Sequence, residues 1–221
     1  MEAAPEPFRA AGEWEAVQAL LSEALLPLAG ARIPVDLRLA QRGVGDVVEK
    51  LVAQAIVEAA EGRDGVSAQH ARTRRSMEDV KLLAGEACFN VDVKTRNLGS
   101  DFSMPNIVSI QRLDRFYRKG TNVFVVLTAE YSDLGGEIAV ENLGWRRVEE
   151  ICWSCLSIQN LGQGQLQLAD ARQPIRRFEG DRCDWMRLLH AEGSAFYGRQ
   201  AEKALAAHRE WIGKLGPCRS S

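Results

Sequence analysis

No stretch of this 221-residue chain reaches eighteen uninterrupted apolar residues, the length that a membrane-crossing helix requires. The richest, Ala19 to Ala31, is broken by Glu23 and Pro27, so no membrane partner is expected. There is no excess of either charge: 28 Lys and Arg stand against 30 Asp and Glu, a net charge of −2. That balance argues mildly against a nucleic-acid partner, since phosphate binding needs clustered cations, but the distribution of charge matters more than its sum. Internal repeats and low-complexity segments are lacking. Cysteines are few and odd in number, at positions 88, 152, 155, 183 and 218, without framework spacing, which points to reduced thiols. Cys152-Trp153-Ser154-Cys155 has the outline of a redox pair, but that motif needs a helix N-terminus to lower the first thiol's pKa. The text that follows, LSIQNLGQGQLQL, is strand-like and broken by glycine. No second Cys-x-x-Cys completes a zinc site, so buried structural thiols are expected. The opening MEAAPEPFRAAGEWE is acidic and contains proline, the opposite of a secretory signal, and a cytoplasmic protein is expected.

What is present suits one folded domain. The apolar fraction is 46%, ordinary for a globular chain, and the length is enough to bury a sizeable core. Apolar spacing predicts helices over about 13–26 and 44–61, the first carrying Trp14, Val17, Leu20, Leu21 and Leu25. Pro105 is expected to open a helix through about Tyr117. Asn122 to Ala129 reads as a strand buried on both faces, Glu137 to Val140 as a further strand, and Trp153–Ile158 with Gln165–Leu168 as a hairpin. A long helix is expected from Asp184 to Lys214. The polar segment EGRDGVSAQHARTRRS, residues 61–76, reads as a mobile loop, and the first twelve residues as flexible. Helices around a central mixed β-sheet make the expected class α/β.

Charge is unevenly distributed. From Arg63 to Lys119 there are eleven Lys or Arg and seven Asp or Glu. Arg72, Arg74 and Arg75, then Arg112, Arg115, Arg118 and Lys119, form either a solvated face or one that tracks phosphates.

Asp79 stands thirteen residues before Asp92 in Asn90-Val91-Asp92-Val93-Lys94-Thr95-Arg96-Asn97. Between them lie VKLLA, a Gly85-Glu86 turn signal and CFNVDV, a hairpin pattern. A two-residue loop there pairs Ala84 with Ala87, Leu83 with Cys88 and, further along, Asp79 with Asp92. Facing carboxylates repel across a sheet unless a hard cation lies between them. Lys94, two residues past Asp92, shares its face. Paired acids and an amine on one sheet face outline a site for metal-assisted hydrolysis; the spacing alone fits an ordinary charged strand end as well.

The surrounding text resembles the active-site region of type II restriction endonucleases, in the HincII-like, EcoRV-related branch of the PD-(D/E)xK nuclease superfamily. The resemblance rests on the acid-to-acid spacing, the string DVKTRN, the Pro105-Asn106 pair and the run NIVSIQRL. Upstream, GVGDVVEKLV at Gly43–Val52 resembles that family's early helix. The likeness is dense from Asp79 to about Leu113 and thin elsewhere, and Glu78 stands where the superfamily label has proline. It implies a single nuclease domain over 1–221 with a restriction-endonuclease-like core, whose catalytic hairpin and following helix span about 79–118. It further implies Mg²⁺-dependent cutting of double-stranded DNA at a short palindrome by a homodimer.

On that resemblance Asp79, Asp92 and the Val93 carbonyl hold the metal, Lys94 lies at the attacking water and the scissile phosphate, and Glu49 is an outer participant or a plain helix carboxylate. Arg96, Asn97, Ser103, Asn106, Gln163 and Gln165 are the candidate DNA contacts. Ser103 stands where the family has an intercalating glutamine, which leaves the wedge and the target sequence open. Asn106 either reads a base or bonds nearby backbone. The glutamines of the Gln159–Gln167 hairpin either read bases or form a polar strand face. Two other readings remain open: a less specific repair or recombination nuclease, and a non-catalytic DNA-binding protein.

Overall fold

The computed structural model describes residues 7–34, 41–73, 76–100, 106–159, 164–170 and 173–214. Helix α1 (Ala11–Leu25) is followed by β1 (Arg32–Pro34), α2 (Gln41–Ala60), β2 (Val66–His70), β3 (Val80–Ala84) and β4 (Ala87–Asn97). Then come β5 (Asn106–Ser109), α3 (Ile110–Phe116), β6 (Asn122–Asp133), β7 (Glu137–Arg147), β8 (Leu156–Gln159), β9 (Gln165–Leu168) and α4 (Arg182–Lys214). Six strands form one sheet in the order β1-β7-β6-β4-β3-β2, in which β4 and β6 are parallel and the other neighbours antiparallel. The expected α/β class with a mixed sheet is what this chain adopts.

Two cores lie on the two faces of that sheet. Phe89, Val91 and Val93 of β4, with Val123, Val125 and Leu127 of β6, pack against α1 and α2. On α2 the buried positions Val44, Val48, Val52, Ile56 and Ala60 recur every four residues, the stripe that an amphipathic helix turns inward. Phe124 and Val126 of β6 face the other way, toward α3, the N-terminal part of α4 and a second sheet, β5-β9-β8. The β8–β9 pair of that small sheet is the expected hairpin; its third strand, β5, was not foreseen and takes the first part of the helix expected from Pro105. Residues Asn106–Ser109, an Asn-Ile-Val-Ser run, are extended and pair with β9, so the helix begins only at Ile110. β-branched residues favour that half-buried strand surface.

Three further differences have local causes. Val66–His70, expected to belong to a mobile loop, forms the outer strand beside β3, pairing His70 with Val80; Arg74 and Arg75 lie outside the described residues. Strand β7 runs to Arg147 because β6 gives it a partner along its length, from Asp133 opposite Ile138 to Val125 opposite Arg147. Phe8, within the segment expected to be flexible, lies 4.3 Å beneath the Arg147 guanidinium, and Ala10 is fully buried.

Arg182, at the start of α4, is buried with Glu149, Nη2 to Oε1 at 2.6 Å. The Tyr117 hydroxyl donates to the other oxygen of Glu149 at 2.5 Å. Burial, and then the Glu149 charge, push the Tyr117 phenol well above its usual range. A phenol whose folded pKa is raised adds stability below its unfolded value, about 10, and loses it as pH rises through the folded one. Thermal melts are therefore expected to fall in Tm from about pH 10 upward. In Tyr117→Phe that portion of the decline should vanish; an unchanged profile would remove Tyr117 as its source.

Candidate active site

The hairpin between β3 and β4 keeps the expected register. Ala84 pairs with Ala87, Leu83 with Cys88 and Val80 with Val91, around Gly85 at φ +54°, a left-handed value that glycine adopts without strain. The ladder ends at Val80. Asp79 leaves it: its amide donates to the Val91 carbonyl at 2.9 Å, and its Oδ2 accepts the Val93 N–H at 2.6 Å. From Asp92 onward β4 thus has an open edge on the β3 side, while its other edge stays paired with β6 through Asn97.

Alternation along β4 sends Phe89, Val91 and Val93 into the helix-covered core and Asn90, Asp92 and Lys94 to the opposite face. Lys94 Nζ lies 2.8 Å from Asp92 Oδ1, with the Asp92 side chain 7% exposed and that of Lys94 19%. The second oxygen, Asp92 Oδ2, is buried without a hydrogen-bond partner, a costly state for a carboxylate. Asn90 donates to Glu78 at 3.2 Å beside this pair.

Helix α2 brings Glu49 to the open edge. One turn earlier, Gly45 lies so close to β4 that a Cβ there would come within 2.9 Å of Thr95 Oγ1. The missing side chain lets the helix seat against the strand. Glu49 then lies against Asp79 and shares a hydrogen bond with it; burial first, and the Asp79 charge second, push the Glu49 carboxyl up to about 7. Asp92 is pushed up to about 8, by burial above all, with Lys94 opposing and Asp79 and Glu49 adding. For Lys94, burial disfavours its charge, but Asp92, Asp79 and Glu49 outweigh it and raise the amine. All three groups hold protons more tightly than usual. Such a cluster is short of positive charge.

Among the described residues no three His, Cys, Asp or Glu side chains are gathered as a ready-made metal cage. A hard cation does not require one, because carbonyls, waters and substrate oxygens complete its shell. The unpartnered Asp92 Oδ2 and the neighbouring Asp79 carboxylate are donors of the right chemistry, so these residues fit a divalent cation.

Members of the cluster line two depressions. Glu49 and Asp79 line one of about 700 Å³, together with Asp46, Lys50 and His70. Lys94 lines the other, of about 400 Å³, with Arg96, Thr128, Glu130 and Arg146. Arg96 donates to Glu130 at 2.9 Å, and Glu130 also accepts from Asn142 at 2.9 Å. Arg146 and Glu130 were missed in the sequence because β7 and the far half of β6 carry no local motif. Asn97 ends β4 by accepting the Gly99 N–H on its side chain at 2.9 Å, a turn role that Asn-x-Gly signals.

The structure therefore brings Glu49, Asp79, Asp92 and Lys94 together, with the Val93 N–H bonded to Asp79 and Arg96 beside Lys94 in its groove. Asn106 and Gln165 do not join the cluster; they sit on the small sheet, whose Leu168 lines the Lys94 groove. The Asn106 side-chain oxygen accepts from Gln167, which answers the helix-start alternative: Asn106 bonds a cross-strand amide, not nearby backbone. Ser103 and Gln163 lie outside the described residues.

No family model matches the sequence, and no curated protein does. Among solved structures, the chain is similar to the NlaIV restriction endonuclease at 11% identity and a TM-score of 0.46, over 76% of this chain and 74% of that one. A likeness so distant decides nothing about this chain's chemistry. None of the described helices is long and apolar enough to cross a membrane.

Proposed function

We propose that this chain is a Mg²⁺-dependent, site-specific deoxyribonuclease, a type II restriction endonuclease of the PD-(D/E)xK superfamily. The observation that carries the reading is the buried Asp92–Lys94 pair with one carboxylate oxygen unpartnered, flanked by Asp79 and Glu49 at an open strand edge. Asp79 and Asp92, with the Val93 carbonyl, would hold the ion. A bound Mg²⁺ supplies charge against the developing phosphoryl oxygens and lowers the pKa of its water. The protein's own part is positional. Asp79 is fixed by the Val93 amide, and Lys94 by Asp92, so that the amine is held at the place where a scissile phosphate would present its charge. Glu49, pushed up to about 7 by burial and then by the Asp79 charge, would be an outer participant, and its approach is set by Gly45.

DNA would lie across the Lys94 groove, with Arg96 and Arg146 toward backbone phosphates and the small sheet toward the bases. Homodimerisation and a cytoplasmic location belong to the same reading, since a palindrome offers two symmetry-related strands for cutting. The testing experiment is digestion of a mapped plasmid with Mg²⁺. Discrete, reproducible bands are expected. A smear would favour a less specific nuclease, and an uncut plasmid would overturn catalysis.

Asn106→Ala is expected to damage discrimination more than overall affinity. A lost base contact costs about 1–3 kcal/mol at one base pair, whereas loss of a phosphate contact lowers affinity for all sequences and flattens the salt dependence. Binding to cognate and scrambled duplexes in Ca²⁺ checks this. Equal losses on both would reduce Asn106 to the hydrogen bond it makes with Gln167.

A further inference from the structure

Cys152 and Cys155 are not the buried thiols expected from the sequence; both are partly exposed. Cys152 is the cap of a one-turn 3-10 helix, Trp153–Cys155, so the chain turns where it was expected to run on as a strand. The Cys155 amide donates to the Cys152 carbonyl at 2.8 Å. Residues at the two ends of such a turn have Cα atoms within about 7 Å, and disulfides span about 4.4–6.8 Å between Cα atoms. Both sulfurs lie beside one hydroxyl: Ser154 Oγ is 3.1 Å from Cys152 Sγ and 4.0 Å from Cys155 Sγ.

Arg176 ties the pair together from outside the turn. Its amide donates to Cys155 Sγ at 3.3 Å, its carbonyl accepts the Cys152 N–H at 2.9 Å, and its guanidinium donates to Ser154 Oγ at 2.6 Å. A hydroxyl oxygen already accepting from a cation has its own proton left to give, and the nearer sulfur is Cys152. The Cys152 thiol is held below its ordinary range by the Ser154 hydroxyl, then by the Ser154 backbone N–H, with Arg176 adding. A cavity of about 200 Å³ opens beside Ser154, Cys155 and Arg176.

We propose that Cys152 and Cys155 form a thiol–disulfide exchange site for small anionic disulfides, with Cys152 as the attacking thiol and Cys155 as the resolving one. The Cys152 thiolate attacks one sulfur of the incoming disulfide; the S–S bond breaks and the first small thiolate leaves. Cys155, losing its proton, attacks the Cys152 sulfur of this mixed disulfide, and the second small thiolate leaves. The two protons shed by the cysteines are taken up by the two departing thiolates. The protein dithiol is oxidised to a disulfide and the small disulfide is reduced to two thiols. The Arg176 guanidinium at Ser154 makes the approach favourable for carboxylate-bearing disulfides, with Asp170 the one acid among the described residues of the cavity lining. The reacting residues of this site are none of Glu49, Asp79, Asp92 and Lys94, although its cavity and the Lys94 groove share Leu168, Gln173, Pro174 and Ile175, so either chemistry can fail while the other stands.

The test is incubation of the full chain in oxidised glutathione, followed by acid quenching and peptide mapping. A Cys152–Cys155 disulfide is expected, formed several-fold faster than any adduct at Cys88 or Cys183, and faster with glutathione disulfide than with cationic cystamine. Cys155→Ser should trap a stable glutathione adduct on Cys152, while Cys152→Ser should leave Cys155 reacting no faster than Cys183. In Ser154→Ala the pH profile for alkylation of Cys152 should move up toward the free-thiol value, about 8.5. The proposal is overturned if Cys152 reacts no faster than Cys88 and Cys183, if Cys155→Ser traps no adduct, or if the alkylation profile does not move. Unchanged circular dichroism in the three variants excludes misfolding as the cause.

Discussion

Asp92→Ala is expected to abolish DNA cleavage while DNA binding persists or improves. In the wild-type chain Asp92 is buried with one oxygen unpartnered, and its charge opposes an approaching phosphate. Removing it takes away both the anionic repulsion and half of the carboxylate pair that would hold the cation. Lys94 then loses its partner at 2.8 Å and is free to meet a phosphate, which is why affinity should not fall. The residual rate should equal that of the uncatalysed reaction within detection, in Mg²⁺ or Mn²⁺. Asp92→Asn keeps the volume and separates loss of charge from loss of packing, and it should be just as inactive. Cleavage by either variant at near wild-type rate in Mg²⁺ would show that the metal is held elsewhere.

Lys94→Ala should cost several orders of magnitude in the rate of the chemical step, with the fold intact. Preorganised charge stabilisation in a site closed to water is commonly worth about 3 kcal/mol or more, and this amine is largely buried among three carboxylates. The replacement also leaves Asp92 buried without its counter-charge, so the variant should bind Mg²⁺ differently and must be assayed at saturating metal. Single-turnover cleavage under those conditions reads the chemistry alone. A wild-type single-turnover rate would reduce Lys94 to the ion pair it makes with Asp92.

Legibility varied with how local each signal was. The hairpin register could be read because the Gly85-Glu86 turn and two short apolar runs are contiguous, and a two-residue loop leaves one pairing. The adjacency of Asp92 and Lys94 followed from strand alternation alone. What could not be read was the behaviour of Asp79, which quits the ladder to accept the Val93 N–H, a choice between two backbone partners that spacing does not encode. The third strand of the small sheet was hidden because Asn106–Ser109 finds its partner about sixty residues later in β9. Pro105, placed where a helix could open, pointed the wrong way. Arg146 reached the groove through β7, whose length depends on β6 and on no motif of its own. At Cys152 the failure was of another kind: the following strand was read correctly, but the single 3-10 turn before it has no periodicity to detect.

The split of β4 between two faces has a consequence for how this segment can vary. Odd positions from Phe89 to Val93 fill a core and even positions from Asn90 to Lys94 carry the polar cluster, so the segment behaves like a two-phase signal. A substitution alters one phase and leaves the other in step. An insertion or deletion of a single residue within 88–93 exchanges them downstream, driving a lysine and an aspartate toward the helices and valines toward the groove. Length here should therefore be far more constrained than residue identity, and a library of point variants and one-residue indels over β4 would separate the two tolerances directly.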